Sequence, residues 1–133
     1  MRITRRTDYA IHLIADLSDN PEKHLGLRSL AERHAVSYGF ARTVQEGLLK
    51  AGIITACRGI NGGIRLARPL KEITLLEVFE AAQAPLDVAF SPKGSRWSGL
   101  QDCQVNEDIW LSTRSVLGKH LSSIRLHRII RPK

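Results

Sequence analysis

The sequence predicts a mainly α-helical fold with one small β-hairpin. Apolar residues recur at helical spacing in five separate stretches. Two short β-prone segments, "IITAC" and "IRLA", flank the glycine-rich "RGINGG". Breakers and caps fall between these segments rather than inside them. With 133 residues the chain is long enough for one compact core.

The first helix is predicted over Thr7 to Leu17, with Ala10, Leu13, Ile14 and Leu17 on one face, and "SDNPEK" after it reads as a loop. Leu27 to His34 is a second, shorter helix. After "AVS", Ser37 is placed to cap a third helix that runs to about Ala51, with Phe40, Ala41, Val44, Leu48 and Leu49 inward and Gly52 as its stop. Gly47 inside that helix costs roughly 1 kcal/mol relative to alanine, so the helix must lean on packing. The Asn61-Gly62 pair favours a tight hairpin turn with positive φ angles. Thr74 and Glu77 have capping-box spacing ahead of Leu75, Val78, Phe79 and Ala82, and Pro85 ends that helix. Asp87 to Cys103 has no consistent period and reads as a loop. A long helix is expected from about Gln104 to Leu121, followed by a basic, amphipathic tail, "SSIRLHRIIRPK".

These elements divide the chain into residues 1–84, a connecting segment 85–103 and a C-terminal region 104–133. Two short helices on a tight connection, followed directly by a hairpin, make a winged helix-turn-helix. The third helix opposes its apolar face with Tyr38, Arg42, Thr43, Gln45 and Glu46, residues able to read base edges from the major groove. The hairpin adds Arg58 and Arg65 around glycines that keep its tip thin, as suits a narrow minor groove.

Charge agrees. Lys plus Arg is 20 against 13 Asp plus Glu, a formal net charge of +7, which implies a polyanionic partner: DNA, RNA or an anionic membrane surface. A hydrophobic share of 43% excludes a disordered chain. No apolar run is long enough to span a bilayer and no secretory leader is visible, so a cytoplasmic protein with no membrane partner is expected. Two cysteines, Cys57 and Cys103, are too few for a disulfide framework. No nucleophile–base pair or carboxylate pair stands out, and "GINGG" lacks the Lys-Ser/Thr of a phosphate loop, so an enzyme is not expected. An RNA-binding winged helix is the alternative to a DNA reader, but RNA modules expose stacking aromatics and only Tyr38 and Phe40 qualify.

Three motifs in order, "L.KAGI", "RG..GG..L.RP" and "I.L.EV", resemble the Rrf-two (Rrf2) family of bacterial winged helix-turn-helix regulators of the IscR, NsrR, RirA and CymR type. The resemblance covers most of the chain. It implies a homodimeric transcription regulator, usually a repressor, on a palindromic operator in double-stranded DNA. By the family's pattern Ser37, Tyr38, Gly39, Phe40, Arg42 and Thr43 open the recognition helix. Arg58, Gly59 and Asn61 form the wing, and Arg2, Thr4 and Arg5 lie near the DNA backbone. The long helix would cross its partner through Val105, Ile109, Val116, Leu117 and Leu121. One departure is Ala35, where the family often has glycine in the turn, so a slightly different turn geometry is expected.

Many members hold an iron–sulfur cluster on three cysteines of the loop before the long helix. Here the last position is Cys103, the middle one falls on Trp97, and the first on Ser91 or Ala89. One thiolate does not hold such a cluster, so none is expected and the sensor loop reads as degenerate. Two alternatives stay open. Asp8 and His12, one helical turn apart, could join Cys103 in a mixed metal site. Cys103 could also act as a redox thiol, and Phe90, Lys93, Arg96 and Trp97 could enclose a small effector.

Overall fold

The computed structural model describes residues 3–83 and 104–130. The expectations for Arg2, Pro85, the segment 85–103 with Cys103, and the side chain of Val105 lie outside the described residues. Five helices and a two-stranded antiparallel hairpin make up the described fold: α1 (Arg5–Asp19), α2 (Leu27–Arg33), α3 (Tyr38–Lys50), β1 (Ile54–Cys57), β2 (Gly63–Leu66), α4 (Leu75–Ala82) and α5 (Gln104–Ser123). Helix α1 is longer at both ends than the apolar pattern alone predicts. At its start the Thr4 N–H and Thr7 hydroxyl donate to Gln83 Oε1, so a residue just past α4 does the capping. At its end Ser18 stays helical, its hydroxyl donating to the Ala15 carbonyl at 2.7 Å.

The core lies between α1, α3 and α4. Leu13, Ile14, Leu17, Val44, Leu48 and Val78 are all fully buried in it. Helix α3 is capped as expected, Ser37 Oγ accepting from the Phe40 N–H at 3.2 Å. It stops at Gly52, whose φ of 70° is the left-handed conformation that glycine adopts without strain. Gly47 now has a reason: a Cβ there would stand 2.1 Å from the Ala81 carbonyl oxygen of α4. The propensity lost inside α3 is offset by a close approach that no other residue permits.

Helix α4 begins with a complete capping box, in which Thr74 Oγ1 accepts from the Glu77 N–H and Glu77 accepts from the Thr74 N–H. Arg68 extends it, Nη2 lying 2.9 Å from Glu77 Oε1 while its other nitrogens donate to the carbonyls of Gly52 and Glu72. Burial works to raise the Glu77 carboxyl, but the Thr74 N–H and Arg68 together outweigh it and hold the group below its ordinary value.

One expectation needs correction, and two others gain detail. The positive φ angles expected at Asn61-Gly62 do not fall there: strand pairing closes at Cys57–Gly63, leaving a five-residue loop, and they fall on Gly59 (115°) and Gly63 (140°). Gly63 is needed because a Cβ would meet the Leu25 carbonyl oxygen at 2.4 Å, where Leu25 and Ile64 exchange a pair of 2.9 Å backbone bonds. Ala35 lies in the turn before α3. It adopts glycine's conformation itself, with φ 53°, at a strain cost of roughly 1–2 kcal/mol. The C-terminal segment is amphipathic as expected, with Leu126 and Ile130 buried and Arg125, His127 and Arg128 exposed, and it is tied into the fold. Leu75 N–H donates to Ile124 O and Leu126 N–H to Ile73 O, both at 2.9 Å, so the chain returns as a short antiparallel bridge beside the start of α4. Leu126 is fully buried and Ile130 nearly so.

Two substitutions should therefore move stability in opposite directions. Leu126→Ala should cost about 2–5 kcal/mol in urea unfolding, as for a core leucine. Ala35→Gly should gain roughly 0.5–1 kcal/mol by relieving the left-handed alanine. A neutral Leu126→Ala would mean that the tail is not part of the core.

Candidate nucleic-acid interface

The free face of α3 is built by what its other face must bury. Ala41, Val44 and Leu48 point into the core, so Tyr38, Gly39, Arg42, Thr43 and Glu46 are left exposed along the opposite side. Near the start of the helix the Arg28 guanidinium of α2 lies 4.5 Å from the Tyr38 ring centroid, a cation–π contact that aligns the two helices' exposed ends. Arg42 Nε is 3.7 Å from Glu46 Oε1, one turn along. Both groups are exposed, and such a pair contributes at most about 1 kcal/mol, so Arg42 is readily released to another acceptor. The Thr43 hydroxyl donates to the Gly39 carbonyl at 3.0 Å. Phe40 is different. It is half-buried with its ring 5.7 Å from Tyr9, a packing residue at the mouth of the interface.

The wing stands beside this helix. Arg58, Gly59 and Asn61 are exposed at its tip, with Ile60 fully exposed between them. Arg65 lies on β2 opposite Thr55. Of the three arginines in the "RGINGGIRLARP" stretch, Arg68 is committed to Glu77 and two carbonyls, whereas Arg58 and Arg65 make no ion pair among the described residues. The wing's charge is thus available to a ligand. On α1, Arg5 is exposed, but Thr4 is half-buried and its N–H is used on Gln83.

One element of the interface is not visible in the sequence motifs. Asp16, almost buried, accepts from Arg33 Nη1 at 3.2 Å and faces His34 Nε2 at 2.5 Å. It grips the end of α2 and the first residue of the turn, fixing α3 relative to α1. A signal did exist: Asp16 sits three residues after Leu13 and beside Leu17, a carboxylate on the core face of α1, where it needs a partner.

A helix pair on a fixed turn, an exposed polar helix face and an adjacent basic wing define a winged-helix DNA-binding protein. Comparison with known proteins gives the particular family. The family model Rrf2, described as "Iron-dependent Transcriptional regulator", matches residues 3–132, and the chain belongs to that family. "Protein aau3" of Rhizobium meliloti is 36% identical over 83 residues, which is 62% of this chain and about half (54%) of that protein. The HTH-type transcriptional regulator IscR of Photorhabdus laumondii is 26% identical over 98% of this chain and 79% of its own. The solved structure of CymR, the global cysteine regulator of B. subtilis, superposes with a TM-score of 0.74 at 18% identity over 98% of this chain and 96% of that one, a likeness of fold. The protein is a transcription regulator and not an enzyme, as its relatives are. Among the described residues no helix is long and apolar enough to cross a membrane.

The family description carries iron. Among the described residues no group of three or more His, Cys, Asp or Glu is placed to hold a metal ion. Asp8 and His12 do come together, at 3.6 Å, yet as a pair on the exposed side of α1. Cys57 lies exposed on the wing strand, its thiol 3.6 Å from the Arg58 carbonyl.

Positioning and reading should separate experimentally. Asp16→Ala leaves Arg33 and His34 without their acceptor and should lower stability by about 2 kcal/mol. Arg42→Ala should leave thermal unfolding within about 0.5 kcal/mol of wild type and relax base preference at one position of each half-site by roughly 1–3 kcal/mol. Equal stability of the two variants would remove Asp16 from its positioning role.

Proposed function

We propose that this regulator is a homodimeric repressor that reads a palindromic operator in double-stranded DNA. The observation that carries the reading is the pairing of an exposed α3 face, with Tyr38, Arg42 and Thr43, and a wing whose Arg58 and Arg65 are unpaired. Ser37 and Gly39 sit at the start of α3, where backbone N–H groups face a phosphate. Arg5 would hold the DNA backbone, and the family's pattern adds Arg2 and Thr4 to that contact. Gly59 and Asn61 let the wing tip approach the minor groove closely.

The dimer is supported by α5. Ile109 and Val116, two turns apart on one stripe, are both more than half exposed, and Leu117 and Leu121 beside them are only half-buried. Apolar side chains along one side of a twenty-residue helix call for cover. A second copy of α5 supplies it and sets two recognition helices at a fixed spacing on one face of the duplex. On this reading residues 1–84 are the reading head, 85–103 a sensor-type loop and 104–133 the dimerisation region.

Selection from random duplexes should enrich an imperfect palindrome. Affinity should fall about a thousandfold or more between 50 and 200 mM salt for roughly six to ten phosphate contacts. Ile109→Asp should give a monomer by sedimentation and abolish tight operator binding. Enrichment of no palindrome, or a dimeric Ile109→Asp variant, would overturn the reading.

The regulator is further proposed to work without an iron–sulfur cluster, because the chain holds two cysteines and one of them, Cys57, is on the wing. Protein purified without oxygen should be colourless, with less than about 0.2 iron per subunit. A brown protein with stoichiometric iron and sulfide would show that Cys103 works with further ligands.

A further inference from the structure

The tip of the wing carries the most exposed large apolar side chain among the described residues. Ile60 is 104% exposed, and the next, Ile3, is 67%. Single exposed apolar residues are common on protein surfaces. What sets Ile60 apart is the loop that holds it out.

The Gly62 N–H donates to the Gly59 carbonyl at 3.0 Å, which closes a four-residue turn with Ile60 and Asn61 at its corners. Turn corners favour Pro, Gly, Asn, Asp and Ser. Asn61 follows that preference and Ile60 does not. The turn folds back on its own base: a Cβ on Gly62 would meet the Cys57 carbonyl oxygen at 2.4 Å and the Gly59 nitrogen at 2.9 Å. The base is pinned as well, because Ile64 is buried and exchanges two 2.9 Å backbone hydrogen bonds with Leu25. Ile60 therefore stands on a braced apex, and the glycines at 59 and 62 add no side chain to widen it.

We propose that Ile60 is a wedge: its side chain enters the minor groove, partly unstacks one base step and kinks the operator there. The inference rests on the DNA-reading function proposed above and adds a specificity-determining residue to it. Charge selects this occupant for the tip. Arg58 and Arg65 are exposed on the same hairpin and make no ion pair among the described residues. Seating the tip in an apolar protein pocket would strip water from those charges without pairing them. A groove lined by phosphates pairs them while Ile60 leaves water between the bases. Asn61, exposed beside it, is free to bond the acceptors on the groove floor.

A wedge reads deformability rather than hydrogen-bonding groups. Pyrimidine–purine steps such as TA unstack most readily. The minor-groove edges of TA and AT carry the same acceptors, so hydrogen bonds there cannot tell the two apart. A preference between them reports the cost of unstacking.

The test uses the full chain and its selected operator in two versions. Both keep the bases under α3, and beneath each wing one has a TA step and the other an AT step. Wild type should favour the TA version about tenfold, on the scale of burying one isoleucine side chain. It should bend that duplex by at least about 20° at each wing in energy-transfer measurements. The thymine of the TA step should become reactive to permanganate, which attacks unstacked thymine. Ile60→Ala should unfold at the wild-type temperature and keep the base preference set by Arg42. It should lose the TA preference, the bend and the permanganate reactivity, and Ile60→Leu should retain all three. A wild-type complex that is unbent or indifferent to the step would overturn the wedge and leave operator reading intact. So would a bend and reactivity that persist in Ile60→Ala. Selection that enriches no operator is instead failure of the DNA-reading function itself, and the wedge falls with it.

Discussion

The seating of α3 is the constraint on which the rest depends. A recognition helix reads bases only if one face is held rigidly and the other is left bare. Ala41, Val44 and Leu48 supply the held face, with essentially no exposure. The contact works because α4 comes close enough for its Ala81 carbonyl to fill the space where a Gly47 side chain would be. Close packing of this kind gives α3 a single orientation rather than a family of them. The polar side chains opposite then project from a fixed platform.

The same body extends to the wing and to the end of the chain. Leu25 and Ile64 tie β2 to the segment between α1 and α2. Arg68 links the exit of the wing to the cap of α4, and Ile124 to Leu126 bond across Ile73 to Leu75 on the near side of the same cap. The final turn of α5 is thus joined to the winged domain through backbone hydrogen bonds and the buried Leu126. A displacement of α5 reaches the reading head through a packed connection rather than a flexible tail.

Local signals were legible in the sequence and long-range ones were not. Ser37, Gly52 and the Thr74–Glu77 box act within one turn of helix, and each does what its spacing predicts. The hairpin was also legible, but its turn was not. Asn61-Gly62 is a strong local signal for a two-residue loop, yet the bridge at Leu25 imposes positive φ on Gly63 instead. Ala35 is different: its positive φ belongs to the local hydrogen-bonded end of α2, where the Val36 N–H donates to the Ala31 carbonyl. The buried tail escaped because "SSIRLHRII" alternates apolar and basic residues, and nothing in that pattern names Ile73 as its partner. Asp16 escaped for a similar reason: Arg33 and His34 are more than a dozen residues away. In the interface, the residues that face outward were legible from the helical period, whereas the residues that aim them were not.

The exposed face of α3 and the wing tip together form the proposed DNA-reading surface. The most direct measurement is a backbone amide shift map of the full chain on adding its selected operator duplex. The largest changes should fall on residues 38–46 and 58–62 and at the start of α1. The exposed side of α4, around Glu80, should stay unperturbed. Strong changes on α4 with none on α3 or the wing would contradict the account.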